Sequence, residues 1–231
     1  MRFESAVVAG LLLASSVASA QDASRVVAGG GIKVPGWQGK IDPNEAKQGG
    51  TLEGAKLEKV GNDLRVTTGP AVAYWNPSNV ATGNYTVKAT FTEEKYMGLN
   101  NHPHPYGLFI GGSDMGTDKQ SYLYCMAYGN GKFIVRGFSG DTTFRLNAPR
   151  GEPNAAINKA SGVGASVTQE IALSVKGDKI ECAINGQVVG SYDKSAAIGD
   201  KKLKSTDGVY GIRFGHNTEA VVKGLSVVKS D

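Results

Sequence analysis

The chain is sparing with the residues that most often carry chemistry. Among 231 residues it has three histidines, two cysteines and two tryptophans. It has no Glu-x-Asp-x-Glu triplet. On a strand such a triplet puts three carboxylates on one face, where an acid and a nucleophile can flank a glycosidic bond. Its absence excludes a two-carboxylate glucanase of that design. Glu93 and Glu94 are no substitute, because neighbours on a strand point to opposite faces.

Charge of one sign is also missing. The 25 basic and 21 acidic residues are scattered, for a net charge of +4. No basic run or basic helix face with interleaved aromatics occurs, so nucleic acid is not an expected partner. No apolar run is long enough to cross a bilayer, so no membrane span is expected. A sustained helical period is missing too, and nothing in the sequence sets an oligomeric state.

Glycine is what the chain has in excess, with 32 residues, about twice the usual share. Hydrophobic residues make up 40%, enough for a sizeable core in a chain of this length. That combination fits many tight turns between short strands. Residues 1–20 read as a secretory signal: Arg2, an apolar stretch from Ala6 to Ala14, and Ala18-Ser19-Ala20 before a cleavage at Gln21. The mature chain is therefore expected to be exported, to a periplasm or the exterior. Residues 21–36 read as an N-terminal tail and 37–231 as one domain.

Strand patterns then recur. Tyr85, Val87, Ala89 and Phe91 alternate with Thr86, Lys88, Thr90 and Thr92, which puts the first set in a core. Gly61-Asn62-Asp63 predicts a hairpin. Gly177-Asp178 predicts another, with Leu173 opposite Cys182 and Val175 opposite Ile180; Asn185-Gly186 adds a third. Asn130-Gly131, read as a two-residue loop, sets Tyr128 opposite Phe133, Met126 opposite Val135 and Cys125 opposite Arg136. In that register Tyr124 and Tyr128 share a face with Met126 and Phe133. Segment 139–167 reads as a long loop with a short helix at 155–160. About a dozen strands and almost no helix predict an all-β fold, a two-sheet antiparallel β-sandwich.

The C-terminal third, IALSVKGDKIECAINGQVVGSYD followed by GVYGIRFGHNTEAVVKGLSVV, resembles the end of concanavalin A-like lectin/glucanase jelly rolls. Gly36-Trp37-Gln38-Gly39 and Gly215-His216 narrow the likeness to exported bacterial domains of the 3-keto-disaccharide hydrolase type. The resemblance covers roughly residues 37–228. It implies a jelly roll and a carbohydrate or glycoconjugate partner. The Asn-Ser-Gly…Arg signature common in the middle of those domains does not occur here.

The candidate ligand-binding residues are Trp75, His102, His104, Tyr106, Arg136 and His216. Prolines hold Asn101-His102-Pro103-His104-Pro105 extended, and residues two apart in an extended chain share a face. Both imidazoles would then meet one ligand, and His216 would supply a third nitrogen if a divalent metal bound there. No cofactor is otherwise implied. Asp114 and Asp118 lie in a Gly-rich loop that fits an Asx-stabilised turn better than a calcium loop. Export favours a Cys125–Cys182 disulfide, whereas the counted register turns Cys125 away from Cys182.

Three functional readings follow. The first is a non-catalytic module that binds glycan or a related polyhydroxylated ligand. The second is an enzyme that cleaves 3-keto-glycosides, with His104 or His216 as base or a bound metal. The third is a structural envelope protein with no small ligand.

Overall fold

The computed structural model describes residues 23–230; the signal segment and its cleavage site lie outside the described residues. In chain order the strands are β1 (Gly31–Ile32), β2 (Gln38–Ile41), β3 (Ala55–Val60), β4 (Asp63–Thr68), β5 (Val72–Ala81) and β6 (Tyr85–Glu93). There follow β7 (Tyr106–Ser113), β8 (Ser121–Ala127), β9 (Lys132–Ser139), β10 (Thr142–Arg145), β11 (Glu152–Pro153) and β12 (Val167–Lys176). The last four are β13 (Lys179–Ile184), β14 (Gln187–Asp193), β15 (Gly208–Phe214) and β16 (Glu219–Lys229). Short helices α1 (Pro43–Lys47) and α2 (Lys194–Ala197) complete the described elements.

The strands form two sheets. The first has the order β1-β3-β4-β16-β6-β12-β13-β14, and the second β10-β9-β8-β7-β15-β5-β2, with β11 beside β9. Every pairing is antiparallel except β1 with β3. This is the all-β jelly-roll sandwich that the strand pattern predicts. Residues 21–36, read as a tail, supply β1 to the edge of the first sheet.

The core lies between the inner faces. Tyr85, Val87, Ala89 and Phe91 of β6 meet Leu108, Ile110, Leu123, Val135 and Ile212 of the second sheet, all buried. The alternation read from sequence therefore holds along β6. The β12–β13 register also holds, with Leu173 opposite Cys182 and Val175 opposite Ile180. The Asn185-Gly186 turn has positive φ at both residues, 51° and 79°, as a type I′ hairpin requires.

The Asn130-Gly131 hairpin differs from its expected form. The Tyr128 N–H donates to the Lys132 carbonyl at 2.9 Å, so the loop has three residues, Gly129-Asn130-Gly131. Within that loop only Gly131 takes a positive φ, 87°, closing the turn in the manner of a three-residue loop. The pairing therefore shifts by one residue. Cys125 faces Val135, Tyr124 faces Arg136, and Ala127 faces Phe133. A shift of one exchanges which side chains are neighbours on each face. Cys125 now points inward and is bonded to Cys182, which ties β8 to β13 across the core with a Cα–Cα distance of 6.2 Å. A cross-link of this kind typically contributes about 2–4 kcal/mol. Phe133 joins the core, while Tyr124 and Met126 sit on the outer face.

The helix expected at 155–160 does not form. That segment is held in turns by the side chains of Asn154, Asn158 and Gln169, which bond to nearby backbone groups. Polar side chains that satisfy the backbone locally compete with helix.

Candidate functional site

The second sheet carries its own apolar cluster on the outer face. Ala73, Trp75, Phe109, Tyr122, Tyr124, Met126, Ile134 and Phe138 are all buried there, outside the main core. A strand whose two faces are both buried reads as continuous burial, and β8 is buried at every residue. Over this cluster lies a groove of about 290 Å³. Its lining includes Tyr124, Tyr128, Phe138, Arg136, Arg213 and His216.

Arg213 forms much of the groove floor. It sits on β15 between the inward-facing Ile212 and Phe214, so alternation turns it outward. Its guanidinium donates to both Asp42 oxygens, at 2.7 and 2.6 Å, and to the Tyr122 hydroxyl at 3.1 Å. It also lies 4.7 Å from the Tyr124 ring centroid and 5.0 Å from that of Phe138. Burial opposes its charge, but the Asp42 carboxylate together with the Tyr122 and Tyr124 hydroxyls holds the Arg213 pKa well above its usual value. Asp42 is the residue before α1, yet its side chain does not cap that helix. Arg213 takes both oxygens instead.

Arg136, half-buried on β9, lines the groove opposite Tyr124. One of its terminal nitrogens donates to the Pro149 carbonyl. It therefore faces the groove as a fixed cation rather than lying opposite Cys125.

The three histidines converge. Ring centroids lie 4.3 Å apart for His102 and His104, 3.9 Å for His104 and His216, and 6.1 Å for His102 and His216. One nitrogen from each lies within 4.8 Å of the others. His102 is exposed and His216 is buried, so the cluster runs from the surface inward. The prolines set one wall and the turn between β15 and β16 sets the other. That turn is fixed by Thr68, whose hydroxyl donates to the Gly215 carbonyl at 2.7 Å and accepts from the Thr218 N–H at 2.9 Å. Gly215 also donates to the Pro105 carbonyl at 2.8 Å. A Cβ at Gly215 would lie 2.9 Å from Pro105 Cδ and 3.3 Å from His104 Cβ, so glycine permits this approach. Burial, then the neighbouring His216 and His102, press the His104 pKa down to about 3. At neutral pH that ring is uncharged.

Two sequence candidates lie elsewhere. Tyr106 faces inward at the start of β7, fully buried and stacked on Phe91 at 5.7 Å. Its position beside a Pro-rich loop suggested a surface role, but strand phase turns it into the core. Trp75 is on the outer face yet only 2% exposed. The loop carrying Gly116 packs against its ring. Asp114 and Asp118 do not converge; they pair with Lys204 and Lys40 respectively. Arg213 and Asp42 were not singled out from sequence. The signal for Arg213 was its place inside GVYGIRF, as a charge in an otherwise apolar strand.

No family model and no curated protein matches this chain. Solved structures do share its fold. A carbohydrate binding module of Bacillus subtilis, CBM66, superposes with a TM-score of 0.56 at 8% identity, covering 86% of this chain and 98% of its own. An endo-β-1,3-glucanase of Pyrococcus furiosus gives 0.51 at 12% identity, over 84% and 89% of the two chains. A B. subtilis protein of unknown function with a galectin-like fold gives 0.50 at 12% identity, with the same coverage. At these identities the likeness shows a shared jelly-roll β-sandwich fold alone. Among the described residues no helix is long and apolar enough to cross a membrane.

Proposed function

We propose that the protein is an exported, non-catalytic module that binds glycan or a related polyhydroxylated ligand in the groove of its second sheet. The observation that carries this reading is the groove itself: the half-buried Tyr128 and Arg136 brought together over a bed of aromatic rings on one sheet face. Aromatic faces stack on the apolar faces of sugar rings, and arginine forks hold hydroxyl or carboxylate oxygens. Two of the fold neighbours bear on it, one a carbohydrate binding module and one a glucanase. A fold alone does not carry an activity, so the weight rests on the groove.

The carboxylates support a binding role over hydrolysis. Asp42 is committed to Arg213, the buried Glu45 accepts from the Ser24 hydroxyl at 2.8 Å, and Asp141 lies 3.5 Å from Lys47 Nζ. None of the three is presented as one of a pair flanking a bond. The alternative base, His104, is held near a pKa of 3, far below what a general base needs at neutral pH. This weighs against His104 as the base in cleavage of 3-keto-glycosides.

The test is a glycan array followed by calorimetry on the mature chain, with Tyr128→Ala and Arg136→Ala as groove variants. Binding to at least one polysaccharide class is expected, weakened about tenfold or more by each variant, the scale of one lost contact. No binding on the array, or binding that ignores both variants, would refute it. Turnover of a 3-keto-disaccharide would favour the enzyme instead. Mass measurement of the secreted chain checks the cleavage before Gln21.

A further inference from the structure

We infer that His102, His104 and His216 form a binding site for one divalent transition-metal ion of the zinc type. The inference stands on geometry and holds whether or not the groove binds glycan. Three-histidine sets with an open fourth position are a recurrent zinc arrangement. Zinc–nitrogen bonds of about 2.0–2.1 Å put tetrahedral nitrogens about 3.3 Å apart. The three nitrogens here lie within 4.8 Å of one another, so small ring rotations close the set.

Three further features fit this purpose. His104 Nε2 is buried with no hydrogen-bond partner among the described residues. A buried polar atom without a partner is costly, and a metal bond would satisfy it. His102 Nδ1 lies 2.8 Å from Asn101 Oδ1. With the amide oxygen as acceptor, Nδ1 donates and Nε2 keeps its lone pair, which is how an outer partner orients a metal-binding imidazole. The backbone is also fixed in advance, by Pro103 and Pro105 on one side and by the Thr68-anchored turn on the other.

The ligand set selects the ion. Imidazole nitrogens suit zinc, copper and nickel, whereas calcium and magnesium require oxygens. Among the described residues the cluster holds three histidines and no carboxylate. His216 also lines the groove, so the site lies at its edge.

Zinc titration of the untagged, chelator-stripped mature chain tests the site, read by calorimetry and by metal analysis after dialysis. One zinc per chain is expected. His104→Ala should weaken binding by at least about 100-fold, the top of the range for loss of a supporting group. Should that variant fail to fold, His102→Ala at the exposed position serves in its place. Asn101→Ala should weaken binding by about tenfold and Asn101→Asp restore it. Cobalt loading gives an independent reading, since a tetrahedral site yields an intense visible band. Absence of saturable binding for zinc, cobalt, nickel and copper would overturn the inference. So would unchanged affinity in the His102→Ala/His104→Ala double variant.

Discussion

Two polar clusters lie on the same sheet end, and they are built on opposite terms. Arg213 and Asp42 satisfy each other: two charges, two short hydrogen bonds and an aromatic bed. The histidines instead gather one nitrogen each within 4.8 Å, and His104 Nε2 has no hydrogen-bond partner among the described residues. One cluster completes itself and acts as scaffold; the other is the proposed metal site. Their separation along the chain is only three residues, Arg213 to His216, across the end of β15.

The largest effect should come from breaking the self-satisfied pair. Asp42→Ala leaves the Arg213 charge buried without its counter-ion. Loss of one partner from such a pair costs about 3–5 kcal/mol. Replacing both, as Asp42→Leu with Arg213→Met, should cost markedly less, because no orphaned charge remains. Urea unfolding of the three proteins measures the difference. Equal losses in the single and double variants would show that packing, not charge, governs the site.

A third buried group sharpens the contrast, because it forms no ion pair among the described residues. Glu93 ends β6 at 5% exposure, with one oxygen accepting from the Met97 N–H at 3.2 Å and the other without a partner. Burial raises its pKa from 4.5 to about 7, and the Met97 bond only partly opposes this. The native state therefore holds the proton more tightly than the unfolded chain. The associated stability is complete below pH 4.5 and is lost as pH rises to about 7. The loss amounts to at most about 3 kcal/mol at 1.36 kcal/mol per unit. Glu93→Gln should remove this dependence and stabilise the protein above pH 7. Melting curves from pH 4.5 to pH 8 that fall equally in both proteins would show that Glu93 is not the group responsible.

The fold was legible where alternation and turn chemistry agreed. Along β6 the Thr residues marked the outer phase, and at Asn185-Gly186 both residues took the left-handed conformation that the dipeptide favours. The same dipeptide at 130–131 misled, because Gly129 before it lengthens the loop by one residue. That single residue decided whether Cys125 met Cys182, so the disulfide could not be read from the strand count. In the site, His102 and His104 were visible as a proline-held pair, and His216 as their complement. Arg213 was hidden because a charge at an outward strand position reads as solvated. Aromatic neighbours from β8 and β9, distant in sequence, cover it together with Asp42.

Gly215→Ala separates the two clusters with the smallest perturbation. The residue lies between them, one position after β15 ends at Phe214 and one before His216. The added Cβ would meet Pro105 Cδ at 2.9 Å and the Pro105 carbonyl oxygen at 3.2 Å. The Pro-held wall must then move by a few tenths of an ångström, and His104 moves with it. Overpacking of this kind costs about 1–2 kcal/mol. Arg213 points to the sheet's outer face and keeps both bonds to Asp42, so the aromatic bed should be unchanged. The expected outcome is a near-ultraviolet tyrosine signal like that of the parent, with zinc affinity lower by about tenfold. A parent-like zinc affinity would mean that the close approach of Gly215 to Pro105 does not set the histidine spacing. A collapse of both signals would mean that the two clusters form one cooperative unit rather than neighbours with separate roles.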